Sequence, residues 1–220
     1  MKERERIDKI LEILGGMYTS KPALNFNNPF ELLIATILSA QCTDVRVNKV
    51  TEVLFKELKN PEDFVVLNSE ELGQLIKSCG LYKTKSENII NTCKILITKF
   101  NSKVPNTMDE LVKLPGVGRK TANVVLSNAF GVDAIAVDTH VFRVSNRLGL
   151  AESKDVEKTE YQLMENIPKK LWSKAHHWLI YHGRAICIAR NPKCDVCPVA
   201  PYCKYYNIST TSNSTHSSKL

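Results

Sequence analysis

The chain has 220 residues, of which 43% are hydrophobic, and Lys plus Arg exceed Asp plus Glu by 30 to 23. This size allows one domain or two small ones with real cores, and the positive charge is compatible with a polyanionic partner without identifying one. No apolar run approaches the ~18 residues that a membrane span needs, and the charged start MKERERIDKILEIL does not resemble a signal peptide. We therefore expect a cytosolic protein with no membrane partner.

Helical periodicity along the chain predicts an all-α protein, since no segment alternates in the manner of a strand. Residues 29–41 are nearly all apolar and predict a buried helix opened by Pro29. Two apparent capping boxes, Thr84–Glu87 and Thr107–Glu110, each predict a helix start. The remaining helices are expected at 2–14, 44–58, 69–78, 119–130, 139–148, 155–166 and 171–186.

Two predicted turns resemble each other in sequence. Residues 75–83 (LIKSCGLYK) and 111–119 (LVKLPGVGR) align at an offset of 36, the difference between their starting numbers. Chance or helical-hairpin packing alone could produce this similarity. Only the second copy has a second glycine, Gly118, where the first has Tyr82. We expect the first turn to display Leu81 and the second to allow close approach to its backbone.

The second turn lies in the stretch LPGVGRKTANVVL, which predicts a tight turn followed by a helix. Because glycine tolerates positive φ, the backbone N–H groups of Gly116, Val117 and Gly118 are expected to be uncovered at a helix N-terminus. There they would bind a phosphate without sequence preference; the alternative is an ordinary tight corner joining two helices. Lys120 falls in the first helical turn, where the helix dipole disfavours the ammonium form. It is therefore a candidate amine nucleophile, and the alternative is a charged phosphate-binding lysine.

Asp138 follows an apolar run, residues 134–137, and precedes a predicted helix. An aspartate at a helix start is commonly an N-cap. A carboxylate behind such an apolar approach can also be partly buried and perturbed, as a catalytic carboxylate requires. Both interpretations stay open at this point.

Seven cysteines in a chain expected to be cytosolic favour metal binding or core packing over disulfides. Four of them have the spacing Cys187-x6-Cys194-x2-Cys197-x5-Cys203. Zinc sites usually bring their ligands in two close pairs, and only one C-x2-C pair is present. The spacing therefore favours a [4Fe–4S] cluster over zinc, and both over unligated thiols. The other three cysteines are expected in the core: Cys42, Cys79 and Cys93.

The loop joining the first two clustered cysteines contains Arg190 and Lys193. Because both ends of this loop would be tethered, a cluster would stiffen it and position its cations against phosphates. Farther on, the last fourteen residues, 207–220, include ten Ser, Thr or Asn and predict a disordered tail.

Taken together, these motifs resemble the endonuclease III family of the helix–hairpin–helix superfamily of DNA glycosylases. The resemblance is carried by LPGVGRKTANVVL, by the aspartate of VDTHVFRVSNRLG eighteen residues after Lys120, and by C-x6-C-x2-C-x5-C. The stretches LNFNNPFELLIATILSAQCTDVRVN and GLYKTKSENI add to it, so that the similarity covers residues 1–206.

The resemblance implies a two-domain helix–hairpin–helix DNA glycosylase architecture with a C-terminal iron–sulfur loop. Residues 22–132 would form a six-helix domain with the hairpin at about 108–127. Residues 1–21 would join residues 133–206 in the cluster domain, and DNA would lie across the cleft. Lys120 and Asp138 would then face each other.

The resemblance also implies an activity: a bifunctional base-excision repair enzyme that removes damaged pyrimidines and cleaves 3′ of the abasic site by β-elimination. Lys120 would attack C1′ and form a Schiff base, and Asp138 would help to deprotonate it and stabilise charge on the sugar. The implied partner is double-stranded DNA with damaged pyrimidines or abasic sites, bound by a monomer near the nucleoid. The implied DNA contacts are Gln41, Leu81, Gly116, Val117, Gly118, Arg119, His140, Arg143, Arg184, Arg190 and Lys193.

Two other functions stay open. Adenine-specific and thymine-specific mismatch glycosylases of the superfamily lack a lysine at the position of Lys120, and the adenine-specific enzyme has a long additional C-terminal domain. A monofunctional mismatch glycosylase is therefore one alternative. A non-catalytic DNA-binding module, whose lysine only contacts phosphate, is the other.

Overall fold

The computed structural model describes residues 1–208, which contain helices, turns and loops and no strand, as the all-α prediction requires. No helix among them is long and apolar enough to cross a membrane. The helices are α1 (Glu3–Met17), α2 (Pro29–Leu38), α3 (Asp44–Glu57), α4 (Pro61–Val65), α5 (Ser69–Leu75), α6 (Tyr82–Phe100), α7 (Met108–Leu111), α8 (Arg119–Ala129), α9 (Thr139–Leu148), α10 (Val156–Asn166) and α11 (Trp172–Ala185).

The chain divides into two compact units. The central unit is Pro22–Val132, and the discontinuous unit joins Met1–Lys21 to the chain from Asp133 onward. Helices α2 to α8 therefore belong to the central unit. Helices α1, α9, α10 and α11 belong to the discontinuous unit together with the four clustered cysteines.

The centre of the central unit is α2, whose residues from Phe30 to Leu38 are all buried. Pro29 occupies the first helical turn, and the Asn28 side chain accepts the N–H of Glu31 at 2.9 Å. This explains why the helix begins where the sequence predicts. It ends at Leu38 rather than residue 41, because Gln41 has φ 53° and leaves the helical region. Helices α3, α6 and α8 pack around α2.

The start of α6 differs from the prediction. The helix begins at Tyr82, and Leu81 precedes it in the left-handed conformation, so Thr84 lies inside the helix and caps nothing. The Leu81 carbonyl accepts the N–H of Lys85 at 3.0 Å, which starts the hydrogen-bond ladder three residues before Thr84, the predicted N-cap. The predicted capping box of α6 is therefore wrong.

Two other helix starts illustrate the limits of the capping pattern. Helix α7 begins after Thr107 as predicted, but the Thr107 hydroxyl donates to the Glu110 carboxylate at 2.6 Å instead of accepting a backbone N–H. Helix α4 was not predicted, although Asn60 and Asp63 form a complete capping box at its start. This box has asparagine as N-cap and aspartate at N3, and therefore does not match the S/T-x-x-E/Q pattern of a capping box.

In the discontinuous unit, α1 packs against α11, and α9 packs against α11 and α10. The apolar face of α1 is buried through Ile7, Ile10, Leu11 and Leu14. After the cysteine loop, residues 204–208 are helical, so the first two residues of the predicted tail end this helix. Residues 209–220 of that tail lie outside the described residues.

Candidate functional site

The second turn packs against side chains of α6. Gly116 has φ +76°, a conformation that favours glycine, and an added Cβ there would lie 3.0 Å from Asn88 Nδ2. The Thr92 hydroxyl donates to the Pro115 carbonyl at 3.0 Å. The turn is thus fixed by a backbone conformation and by two side chains of a neighbouring helix.

Val117 corrects part of the prediction for this turn. Its N–H donates to the Leu114 carbonyl at 3.1 Å, and its side chain is buried. This N–H closes the turn itself and is not uncovered, as the sequence analysis expected. The candidate anion site is therefore limited to the backbone of Gly116 and Gly118 and the start of α8.

Gly118 is the N-cap of α8, with φ −91° and ψ 178°. Any residue adopts these angles, and among residues 1–208, apart from the two chain neighbours, no atom lies within 4 Å of the position that a Cβ would occupy. Neither the conformation nor the packing of the protein requires glycine here. An external group that approaches this backbone closely would account for it.

Lys120 lies in the first turn of α8, is exposed, and has no hydrogen-bond or ion-pair partner within the central unit. Its neighbour Arg119 is half-buried and already interacts with other residues. The absence of an acidic residue from this first helical turn is also notable, since the helix dipole favours one. Lys120 is thus an exposed amine beside an open stretch of backbone.

The first turn presents a side chain instead. Gly80 has φ +68° and Leu81 has φ 49°, and the Leu81 side chain is 56% exposed. Gln41, three residues after the end of α2, is also exposed and has φ 53°. A large apolar side chain and a glutamine in left-handed conformations cost free energy on the order of 1–3 kcal/mol each, and such strain is concentrated at functional sites.

Asp138 is the N-cap of α9, as one of the two interpretations predicts, and its Oδ1 accepts the N–H of Val141 at 2.7 Å. The carboxylate is half-buried behind residues 134–137, which are all buried. His176 fixes this approach, because its Nδ1 lies 2.8 Å from the Ala136 carbonyl oxygen. Capping leaves the second carboxylate oxygen available, so the N-cap role does not exclude catalysis. That Asp138 faces Lys120 stays a prediction.

The basic side chains near the start of α9 are partly engaged within the discontinuous unit. Arg143 donates from Nη2 to the Gly183 carbonyl at 2.9 Å and from Nε to the Cys187 carbonyl at 3.2 Å. Its Nη2 also lies 3.3 Å from His140 Nδ1, and burial lowers the pKa of His140. Arg143 therefore ties α9 to α11 and to the cysteine loop, and only its Nη1 donors stay available for a phosphate. Arg184, at the end of α11, is exposed.

The four clustered cysteines line one small cavity, together with Arg147, His182, Lys193 and mostly apolar neighbours. Among residues 1–208, no three His, Cys, Asp or Glu side chains converge closely enough to chelate a single ion. Burial raises the pKa of the Cys194, Cys197 and Cys203 thiols, so their thiolates need compensating cations. Thiols placed around a cavity rather than around a point fit a cubane better than a zinc ion.

Two arginines that the sequence analysis missed hold the cysteine region. Arg147 donates to the carbonyls of Ile188 at 2.7 Å and Ala189 at 2.9 Å, and its Nη1 lies 3.6 Å from Cys187 Sγ. Arg6 of α1, which is 8% exposed, donates to the carbonyls of Leu148, Gly149 and Tyr202. Arginine spacing alone carried no signal for either role, because the acceptors are backbone carbonyls distant in sequence.

The loop that carries Arg190 and Lys193 is exposed at both residues. Its path is fixed partly by Arg147 and partly by the Lys193 N–H, which donates to the Ile186 carbonyl at 3.1 Å. The protein itself therefore shapes this loop, in addition to any constraint from a bound cluster.

Comparison with known proteins shows the superfamily to which the fold belongs. The family described as "HhH-GPD superfamily base excision DNA repair protein" matches residues 34–169, and "Iron-sulfur binding domain of endonuclease III" matches residues 187–203. A solved thermostable thymine-DNA glycosylase covers 93% of this chain and 98% of its own, with a TM-score of 0.81 and 26% identity. The fold and the helix–hairpin–helix turn are thus those of a base-excision DNA repair protein.

Closer relatives define the family. Endonuclease III of Rickettsia felis is 51% identical over 202 residues, which cover 91% of this chain and 95% of the relative. A solved structure of a trapped endonuclease III–DNA covalent intermediate has a TM-score of 0.90 at 50% identity, and covers 96% of this chain and 100% of its own. The chain belongs to the endonuclease III family of DNA glycosylase/AP lyases and carries the [4Fe–4S] motif of that family. The predicted family, fold class, enzyme class and cofactor are thereby confirmed.

Proposed function

We propose that this enzyme removes damaged pyrimidines from duplex DNA and then cleaves the strand through a covalent bond to Lys120. The observation that carries the proposal is the state of this lysine: an exposed amine without a partner in its own unit, directly after the open backbone of Gly118. A relative of 50% identity has been trapped covalently on DNA, which supports a covalent route.

The first step is extrusion of the damaged nucleotide, because its C1′ cannot be reached inside the stacked duplex. Leu81 and Gln41 fill the gap that the extruded nucleotide leaves. Their exposure and their left-handed backbone support this role, since each side chain is held away from its own helix. The backbone of Gly116 and Gly118 binds a phosphate nearby and contributes affinity without sequence preference.

The second step is attack of the neutral Lys120 amine on C1′, with departure of the base. Ring opening gives a Schiff base, which makes the C2′ proton acidic. Loss of that proton expels the 3′ phosphate by β-elimination, and hydrolysis then releases Lys120. Asp138 assists by accepting a proton from the lysine and by stabilising positive charge on the sugar.

The remaining cations position the duplex. Arg184, Arg190 and Lys193 are exposed and supply phosphate contacts, while Arg119, His140 and Arg143 add contacts with the donors that their internal interactions leave available. Cys187, Cys194, Cys197 and Cys203 would hold the cluster, which would crosslink the loop that carries Arg190 and Lys193. We further propose that the enzyme acts as a cytoplasmic monomer on nucleoid DNA.

Borohydride reduction in the presence of a duplex with one abasic site tests this proposal. We expect a covalent protein–DNA complex, and mass spectrometry of its peptides should locate the adduct on Lys120. Base release without an adduct would instead identify a monofunctional mismatch glycosylase, to which the shared fold of the thymine-DNA glycosylase lends support. Binding without base release or adduct would identify a non-catalytic DNA-binding module.

A further inference from the structure

A lysine of the central unit, Lys85, is buried, whereas Lys120 is exposed. Lys85 lies in the first turn of α6 and is only 4% exposed. A buried ammonium is costly unless hydrogen bonds replace its water. Its Nζ donates to the carbonyl oxygens of Leu38 and Cys79, at 2.8 Å in each case.

These two carbonyls belong to the two segments that carry the proposed gap-filling residues. Leu38 is the last residue of α2 and precedes Gln41 by three positions. Cys79 precedes Leu81 by two positions and ends a short 3-10 turn. One ammonium group therefore joins the base of both turns, which are 47 and 6 residues away from Lys85 in sequence.

Local hydrogen bonds do not replace this link. At the end of α2, the Ser39 N–H donates to the carbonyls of Ala35 and Thr36, and the Ala40 N–H donates to that of Ile37. The Leu38 carbonyl is one of the terminal acceptors that a helix leaves without an intrahelical partner. It is bonded instead by the Lys85 side chain.

Lys85 also holds the Leu81 turn through its main chain. Its N–H donates to the Leu81 carbonyl at 3.0 Å, while its Nζ binds the Cys79 carbonyl on the other side of Gly80. The segment that contains two consecutive positive-φ residues, Gly80 and Leu81, is thus fixed at both ends by one residue. Burial lowers the pKa of Lys85, so the two carbonyl hydrogen bonds matter all the more for its charged form.

We propose that Lys85 is the positioning residue of base extrusion: it holds the turns of Gln41 and Leu81 in register so that both side chains enter the duplex together. The inference rests on the proposed gap-filling role of these two residues. Lys85 itself is buried and touches neither the substrate nor Lys120. Its loss should therefore impair extrusion and leave β-elimination at an existing abasic site much less affected.

The test compares two substrates in single-turnover reactions with saturating enzyme: a duplex with a paired damaged pyrimidine, and the same duplex with a preformed abasic site. Lys85→Met keeps the volume of the side chain and removes both hydrogen bonds. We expect it to slow base release by at least about tenfold while β-elimination changes by less than about threefold, since extrusion costs least where pairing is already absent.

The matched control is Thr51→Val in the same unit. Thr51 is 1% exposed and its hydroxyl donates within α3 to the Val47 carbonyl at 3.1 Å, so this variant also removes a buried hydrogen bond. It should retain the wild-type ratio of the two rates. Amide hydrogen exchange of the free proteins adds a direct measurement: Lys85→Met should accelerate exchange in residues 39–43 and 79–83, and Thr51→Val should not.

Leu81→Ala and Gln41→Ala test the gap-filling role of these two residues separately from the positioning role of Lys85. If these variants lose activity selectively on the paired lesion and Lys85→Met does not, the positioning role of Lys85 is wrong and gap filling stands. If they lose activity equally on both substrates, the gap-filling proposal itself fails, and the positioning role fails with it. Lys85→Gln, whose amide NH2 can still donate hydrogen bonds but reaches less far than Nζ, replaces Lys85→Met if the latter does not fold, and should show the same selectivity with a smaller loss.

Discussion

The turn at Gly80 and the turn at Gly116 both place a glycine at positive φ before a helix, at +68° and +76°. The residue that follows has opposite fates: Leu81 is 56% exposed, whereas Val117 is 5% exposed and donates its N–H within the turn. In the second turn the chain continues through one additional extended residue, Gly118, before its helix begins. Two turns with a similar backbone therefore expose different groups: the first exposes the side chain of Leu81, and the second exposes the backbone of Gly118 and the side chain of Lys120.

One difference between the two turns lies where the helix begins. Where the first copy has Tyr82 as the first residue of α6, the second has Gly118 as the N-cap of α8. The extended glycine starts α8 one residue later than the alignment would place it. The second helix start thus has an exposed glycine followed by an exposed lysine in the first helical turn.

The largest expected effect concerns the two lysines near these helix starts. Lys120→Gln should abolish borohydride trapping on abasic DNA, because no other amine is proposed to reach C1′, while binding to abasic DNA stays largely intact. Lys83→Gln, which removes an exposed lysine from the first turn of α6, is the matched control and should trap like wild type. Robust strand cleavage by Lys120→Gln would remove this lysine from the mechanism.

A side-chain cap at α9 can be compared with the glycine cap at α8. Asp138→Asn should slow base release by about 10²–10⁴-fold, the range for a lost acid–base group. The melting temperature should stay unchanged, because asparagine caps a helix as well as aspartate does. Asp138→Ala should slow the reaction and also destabilise the protein by ~1 kcal/mol. A single-turnover rate equal to wild type in Asp138→Asn would reduce Asp138 to a helix cap.

The next two variants truncate the side chain that follows the positive-φ glycine in each turn: Leu81 in the first and Val117 in the second. Leu81→Ala should slow release of a paired lesion by about 10- to 100-fold, corresponding to part of the few kcal/mol that extrusion costs, with a smaller loss at a preformed abasic site. Val117→Ala should instead lower the free energy of unfolding by ~2 kcal/mol through loss of buried volume. Urea denaturation and single-turnover rates on both substrates measure the two effects, and an interchange of the two outcomes would contradict the assignment.

The loop between Cys187 and Cys194 differs from both turns, because its proposed contacts with DNA phosphates are made by cationic side chains. Replacing both Arg190 and Lys193 by Ala should flatten the slope of log affinity against log salt by up to ~2 units, about 0.9 for each lost phosphate contact. Cleavage at saturating enzyme should change far less, because neither residue is proposed to touch the sugar. Iron content must match wild type in this variant. An unchanged slope would show that the loop does not bind DNA.

The smallest expected effects come from the two glycines of the second turn. Gly116→Ala should destabilise the protein by ~1–3 kcal/mol, because alanine would have to adopt a positive φ and its Cβ would lie too close to the Asn88 side chain. Gly118→Ala should change stability by less than ~1 kcal/mol, since its angles suit any residue and the Cβ position is open. Affinity of Gly118→Ala for abasic DNA should nevertheless fall, by about tenfold if one phosphate hydrogen bond is lost. Undiminished affinity would leave the glycine at 118 without an explanation.

The sequence predicted most of what depends on local patterns. Pro29 and Asn28 define the start of α2, and the cysteine spacing predicts the cluster, because each signal lies within a few consecutive residues. The start of α6 could not be predicted, since it depends on Leu81 in a left-handed conformation that nothing in the side chain favours. Arg6, Arg147 and Lys85 were missed for a related reason: all three bind backbone carbonyls, and backbone acceptors leave no trace in the sequence.

The bonds of Arg6 have a consequence for the order in which the protein can assemble during synthesis. Arg6 is translated long before one of its acceptors, the Tyr202 carbonyl, which follows 196 residues later. The apolar face of α1 packs against α11, which is also made late, whereas every residue of the central unit has emerged by Val132. The central unit can therefore fold first as a unit. Until α11 is translated, the α1 segment lacks this partner for Ile7, Ile10, Leu11 and Leu14, and an apolar segment in that state is one that chaperones bind.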